Sequence, residues 1–264
     1  RAGQSLGVVV RQTDRVRNVI VEWDRVAGVE FDDGGQIRAP LLRAHGLIDD
    51  GGASLAADRH GNWLSVWTSS LDLSGADEVV TYVARGMEPY RGFPEFMAAM
   101  EIVMKRRPGA HVVVVGEDRV AYGKKLGEGD SFKKRALESG QYDMTRLHFT
   151  GLLPRPAYLK VLQASSVHVY LTVPFVLSWS MMEAMSAGCL VVGSDTEPVR
   201  ELISDGKNGR LAPFRDPAAI ADAVCDVLAN PDAHAPMRAA ARETILKTYA
   251  ARDIYPRKEA LFRG

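Results

Sequence analysis

Residues 170–195, YLTVPFVLSWSMMEAMSAGCLVVGSD, decide the fold of this chain. A β-branched and aromatic run ends at Pro174, a short loop follows, and a run rich in Met and Ala has the composition of a helix. Gly188 then marks a helix end, and the apolar CLVVGSD begins a second buried strand. Strand, loop, helix and strand in this order describe one unit of a parallel sheet with a crossover helix. Glu183 is the sole acidic side chain between positions 170 and 192. It falls near the start of the helix, just beyond the carboxyl end of a strand, and that placement needs a reason.

The same alternation extends outward from this stretch. EVVTYVARG (78–86) reads as a strand, PEFMAAMEIVMKRRPG (94–109) as a helix with Phe96, Met97, Met100, Val103 and Met104 on one face, and AHVVVVGED (110–118) as a strand. The continuous valines of that last strand predict burial on both faces. A polar, lysine-rich excursion (119–143) precedes the strand RLHFTG, the helix PAYLKVLQAS and the strand VHVYLT. GRLAPF is a short final strand. Asp216 and Pro217 have the N-cap and first-turn pattern of a helix that carries Ile220, Val224, Val227 and Leu228 as one stripe and stops at Asn230 and Pro231. Repeated strand–helix alternation predicts an α/β fold built on a doubly wound parallel sheet. Residues 1–75 differ: LGVVVRQ, RNVIVEWD and GVEFDDGGQIRAP read as strands, the last a hairpin turning at Asp33, Gly34 and Gly35, and residues 51–70 as linker. The expected organisation is a short β-rich segment (1–75) of unassigned role, followed by a ligand-binding α/β domain (76–264).

Bulk properties narrow the function. The 264 residues are 46% hydrophobic and 25% charged, and 33 basic residues balance 33 acidic ones. No basic excess argues for nucleic acid. Cys189 and Cys225 fall in apolar runs, which favours free thiols in a reducing compartment. No HExxH, CxxC or aspartate pair suggests a metal site. His111, His148 and His168 lie in or beside strands and read as structural, and the lysines of YGKKLGEGDSFKKR as a solvated face.

Ligands of open parallel sheets bind beyond the carboxyl ends of the strands. The loop after the first strand of the sheet brings Arg85 and Arg91, the second Gly116, the third Gly151 and Leu152, and the fourth leads into the helix with Glu183. Two guanidinium groups near a helix N-terminus suit a diphosphate, and a carboxylate on the neighbouring helix suits a ribose diol. On the residues alone, simpler readings stand beside this one. Ser180, Met181, Met182 and Glu183 match the S-x-x-E capping box, and both arginines fit an ordinary surface loop. No glycine fingerprint follows any strand, which counts against a nicotinamide or flavin enzyme.

The segments VARGMEPYRGF, HVVVVGED, LHFTGLLP, SMMEAMSAGCLVVGSD and VRELISDGKNGRLAPF, in this order and at these intervals, make residues 78–249 resemble the C-terminal, donor-binding half of the family 4 glycosyltransferases. EPYRGF and PFVLSWSMMEAMSAG resemble one bacterial branch. The resemblance implies a GT-B fold and a nucleotide-diphosphate sugar as donor substrate. Its sugar passes to an acceptor hydroxyl with retention and without metal or cofactor, in the cytoplasm or at the inner membrane face. It also implies roles by position. Arg85 and Arg91 match the R…K-G motif that grips the diphosphate, with arginine in place of the lysine. Glu183 matches the ribose-binding glutamate that ends E-x7-E. Gly116 keeps a strand end open to the phosphates, backbone groups near Gly151 and Leu152 contact the base, and amides at Leu177, Ser178 and Trp179 serve the donor sugar. Phe175 stands where the motif's first glutamate is expected. The N-terminal acceptor domain of the fold has no counterpart in residues 1–75. The chain is therefore expected to be a fragment, a donor subunit that needs a separate acceptor chain, or a non-catalytic binding module. TYAARDIYPRKEALF suits the helix that crosses back to the acceptor domain, with Ile254, Tyr255, Leu261 and Phe262 left to drive association.

Overall fold

A computed structural model describes the backbone of residues 16–22, 25–31, 36–42, 55–57 and 63–65, together with Leu73 and residues 76–263. The chain divides into two compact units, Arg1–Asp77 and Glu78–Gly264. In the first, β1 (Val16–Glu22), β2 (Arg25–Phe31) and β3 (Gln36–Leu42) form an antiparallel sheet in that order. The strand expected at residues 6–12 and the turn at 33–35 lie outside the described residues. The stretch read as linker contains a hairpin: β4 (Leu55–Ala57) pairs antiparallel with β5 (Trp63–Ser65). Its three-residue strands are too short to produce a readable alternation, which hid them in the sequence.

The second unit holds a six-stranded, wholly parallel sheet. Its strands are β6 (Glu78–Gly86), β7 (Ala110–Glu117), β8 (Leu147–Gly151), β9 (Val167–Tyr170), β10 (Val191–Ser194) and β11 (Arg210–Ala212), in the order β11-β10-β9-β6-β7-β8. Strand order therefore reverses between β6 and β9. That switch point opens a crevice at the carboxyl ends of these two strands, where such sheets take their ligands.

Both faces are covered, as the valine runs require. On one, α1 (Phe93–Arg106) and α6 (Pro217–Ala229) pack over Val80, Tyr82, Val112, Val114, Val169 and Val192. On the other, α3 (Arg155–Ala164), α4 (Trp179–Ala187) and α7 (Ala235–Thr248) bury Tyr170, Val191, Met181, Met185 and Ile245. Alternate residues of β9 thus serve opposite faces: Val167 and Val169 one, His168 and Tyr170 the other. His168 is fully buried beside Thr81, with Nδ1 2.9 Å from the Thr81 hydroxyl, which matches its structural reading. The N-cap at Asp216 forms as its sequence suggests, accepting from the Ala219 amide at 3.0 Å.

Three helices of the second unit, α7 and two more, escaped the sequence. The polar excursion contains α2 (Phe132–Ser139), capped by Ser131, which accepts from the Lys134 amide at 3.0 Å. A single turn, α5 (Glu197–Arg200), follows β10. α7 precedes the helix expected at the C-terminal end, which forms as α8 (Ala251–Arg263); on α8 Tyr255, Leu261 and Phe262 are exposed while Ile254 is half-buried. Cys189 and Cys225 are free thiols. No helix among the described residues is long and apolar enough to cross a membrane.

Candidate functional site

The switch-point crevice is built around Arg91. After β6 the chain makes one 3-10 turn, Pro89–Arg91, and Gly92 enters α1 with φ +63°. A side chain at Gly92 would meet Leu171 Cβ at 2.5 Å, so only glycine permits this sharp entry. The turn buries Arg91 to 6% exposure. Its Nη1 donates to the Tyr170 hydroxyl at 3.1 Å and to Thr172 Oγ1 at 3.0 Å. Its guanidinium carbon lies 5.5 Å from the Tyr122 ring centre and 5.3 Å from that of Phe175, within cation–π range. No carboxylate pairs with it among the described residues. A buried cation held by hydroxyls and rings keeps unspent affinity for an anion.

Tyr170 ties this cation to α4. Its hydroxyl accepts from Arg91 and also from the Ser178 amide, at 2.8 Å, where Ser178 is the N-cap residue of α4. The guanidinium and the positive end of the helix dipole thus meet at one oxygen.

Glu88, which the sequence reading passed over, shapes the other wall. It is completely buried, and its carboxylate accepts from the amides of Ala121 at 3.2 Å, Tyr122 at 3.0 Å and Gly123 at 2.7 Å. Three amides converging on one carboxylate hold the loop after β7 over the crevice and set the Tyr122 ring against Arg91. Phe175 completes an aromatic wall, with its ring centre 6.1 Å from Tyr90 and 5.4 Å from Tyr122.

Arg85, next to last in β6, is exposed, and its side chain makes no hydrogen bond or ion pair among the described residues. Gly116, at the end of β7, has φ +140°, and a Cβ there would lie 1.9 Å from the Ala84 carbonyl oxygen. Glycine is needed at this point for the close approach of two strand ends. Gly151 ends β8, and Leu152 beyond it is 63% exposed. Leu177 is half-buried against the α3/α4 core, while Trp179, the first residue of α4, is 81% exposed.

The capping-box reading of Glu183 is overturned. Ser178, not Ser180, is the N-cap, no side-chain cap forms, and Glu183 sits in the second turn, too deep to reach the N-cap amide. Its oxygens turn instead to α3: Oε1 accepts from Arg155 Nη1 and Oε2 from the Tyr158 hydroxyl, both at 2.7 Å. Burial and the Glu183 carboxylate push the Tyr158 phenol well above the usual tyrosine range, so it remains a donor. The Ser178 amide, one of those expected to serve the donor sugar, donates here to the Tyr170 hydroxyl at 2.8 Å.

The remaining sequence candidates lie elsewhere. His111 and His148 stand side by side on β7 and β8, Nδ1 to Nε2 3.0 Å. Lys124, Lys125 and Lys134 are exposed, as a solvated face requires, whereas Lys133 is half-buried with its ammonium 4.3 Å from the Phe149 ring centre. No group of three metal-ligating side chains occurs among the described residues.

The six-stranded parallel sheet with helices on both faces is a Rossmann-like fold of the kind found in GT-B proteins. The family described as "Glycosyl transferases group 1" matches residues 67–244, and the chain belongs to it. The phosphatidyl-myo-inositol mannosyltransferase of Mycolicibacterium smegmatis is 26% identical over 170 residues, 63% of this chain and 40% of the relative. The 2-deoxystreptamine N-acetyl-D-glucosaminyltransferase of Streptomyces fradiae is 29% identical over 188 residues, 70% of this chain and 42% of the relative. The chain therefore spans about two fifths of the length of these curated relatives. Among solved structures, Anabaena HepE in complex with UDP-glucose superposes with a TM-score of 0.61 at 19% identity, over 73% of this chain and 50% of HepE. The C-terminal domain of a group 1 glycosyltransferase (LpcC) from Francisella tularensis does so with 0.55 at 18% identity, over 67% of this chain and 88% of that domain.

Proposed function

We propose that residues 78–264 form the donor-binding half of a glycosyltransferase of family 4 type. It would pass a sugar from a nucleoside-diphosphate sugar to an acceptor hydroxyl, with retention and without metal or cofactor. The observation that carries this is Arg91, a buried guanidinium without a carboxylate partner among the described residues, joined through the Tyr170 hydroxyl to the N-terminus of α4. In the proposal Arg91 and the exposed Arg85 take the diphosphate. They stabilise the negative charge that grows on it as the glycosidic bond breaks, in the manner of preorganised oxyanion donors. Glu183 takes the ribose diol, and the backbone around Gly151 and Leu152 takes the base. HepE, named as a complex with UDP-glucose, supports a nucleotide sugar as the class of ligand. A cytoplasmic setting, at the inner membrane face where the acceptor is lipid-linked, belongs to the same proposal.

A second reading is favoured by Phe175. Where a donor-sugar carboxylate is expected, an aromatic ring packs against Arg91, Tyr90 and Tyr122. A domain that binds the nucleotide sugar and relies on a separate chain for acceptor and turnover fits that substitution. Calorimetric titration with UDP, GDP and their sugars tests both readings. Binding lost in Arg91→Ala and Arg85→Ala supports the shared donor site, whereas no binding by the wild-type protein refutes it. Donor hydrolysis by the chain alone would then select the enzyme over the subunit.

A further inference from the structure

Glu183 enters the proposed site with both oxygens already engaged, and its two partners differ in character. Tyr158 and Arg155 stand three residues apart on one face of α3, the spacing at which helical side chains are neighbours. Tyr158 is half-buried and packed against the core between α3 and α4. Arg155 opens the helix, its side chain 66% exposed, while that of Glu183 is 22% exposed. An ion pair so open to water is worth at most about 1 kcal/mol and exchanges readily. The phenol bond lies in a drier setting and on a rigid aromatic lever.

We propose that Tyr158 is the positioning residue of the ribose site, fixing the carboxylate of Glu183, and that Arg155 is a guard that an incoming nucleoside diol displaces from Oε1. The inference rests on the donor-site reading above. A carboxylate offers about four lone-pair positions, so the Tyr158 bond on Oε2 leaves room for a diol that bridges both oxygens. Support of this kind, a binding group whose rotamer is locked by a second hydrogen bond, separates a preformed site from a loose one. The loop from Gly151 to Arg155 is only a few residues long, so the expected base contact and the ribose acid are coupled through the first turns of α3.

The test compares uridine and guanosine diphosphates with their 2′-deoxy forms by calorimetric titration. Loss of one hydrogen bond to a charged group predicts about tenfold tighter binding of the ribo form by the wild-type protein. Tyr158→Phe, which keeps the ring and its packing, is expected to lower that ratio to about one while the protein stays folded by circular dichroism. Arg155→Gln is expected to keep the tenfold ratio. The positioning role is overturned if Tyr158→Phe keeps the ratio while Glu183→Gln abolishes it, and the guard role is overturned if Arg155→Gln abolishes it. Failure of the donor-site reading looks different: the wild-type protein binds neither diphosphate, or Glu183→Gln leaves the ratio unchanged.

Discussion

Replacing Glu88 by glutamine probes the wall of the crevice with the least change in shape. The carboxylate is fully buried and acts only as an acceptor: Oε1 serves Ala121 and Tyr122, and Oε2 serves Tyr122 and Gly123. A glutamine in the same rotamer must turn its NH2 group toward one of these pairs, so that donor faces donor. The better orientation keeps the carbonyl on Gly123, the shortest contact at 2.7 Å, and gives up the Ala121 side. Two charge-assisted bonds are lost or weakened, at about 1.5–3 kcal/mol each, for a total of about 3–6 kcal/mol. In a unit of this size, that lowers the melting temperature by roughly 10 °C. Because the same amides seat Tyr122 against Arg91, affinity for a nucleoside diphosphate should fall with stability. Thermal denaturation followed by circular dichroism, with titration of UDP and GDP below the transition, measures both. A Glu88→Gln protein that melts within 2 °C of wild type and binds with unchanged affinity refutes the assigned role of Glu88.

Four further outcomes are expected. Arg85→Ala, at an exposed side chain without partners among the described residues, should change stability by less than about 0.5 kcal/mol yet weaken diphosphate binding about tenfold or more, a split visible by pairing denaturation with titration. Arg91→Lys keeps the charge but loses the forked donor geometry and the ring stacking, and should weaken binding by about tenfold in the same titration. His168 is desolvated, which lowers its pKa to about 3. The unfolded chain therefore binds a proton below about pH 6.5 that the folded one refuses, and stability is lost as pH falls from 6.5 toward 3, by about 1.4 kcal/mol per unit. Urea denaturation at pH 7 and pH 5 should show this loss in wild type and a smaller one in His168→Gln. Trp179→Ala should leave the melting temperature unchanged, since the ring is 81% exposed, and a drop of more than about 1 kcal/mol would contradict that placement.

The sheet was legible because its strands are long enough to display their pattern. The valines of β7 and the alternation in β9 each report burial on two faces, and the helices between them carry regular apolar stripes. The hairpin of β4 and β5, with three residues per strand, is below that threshold. Position and resemblance single out Arg91 and Glu183 as candidates, but their surroundings are not readable in the sequence. Glu88 looks in sequence like any loop carboxylate, because its three partners are backbone amides 33 to 35 residues away. The link from Tyr158 to Glu183 spans 25 residues and depends on two helices lying side by side. The capping-box pattern was present and idle, because the helix begins two residues earlier than the motif requires. Local rules locate elements, and contacts between elements appear only once the layers are assembled.

One hydroxyl, that of Tyr170, receives hydrogen from both the guanidinium of the turn before α1 and a helix-start amide. Removing that oxygen would unfasten two sources of positive potential at once, although neither belongs to the residue removed. Selection on this tyrosine would then resemble selection on a ligand-touching group, while its ring lies in the interior with 2% of its surface in contact with water.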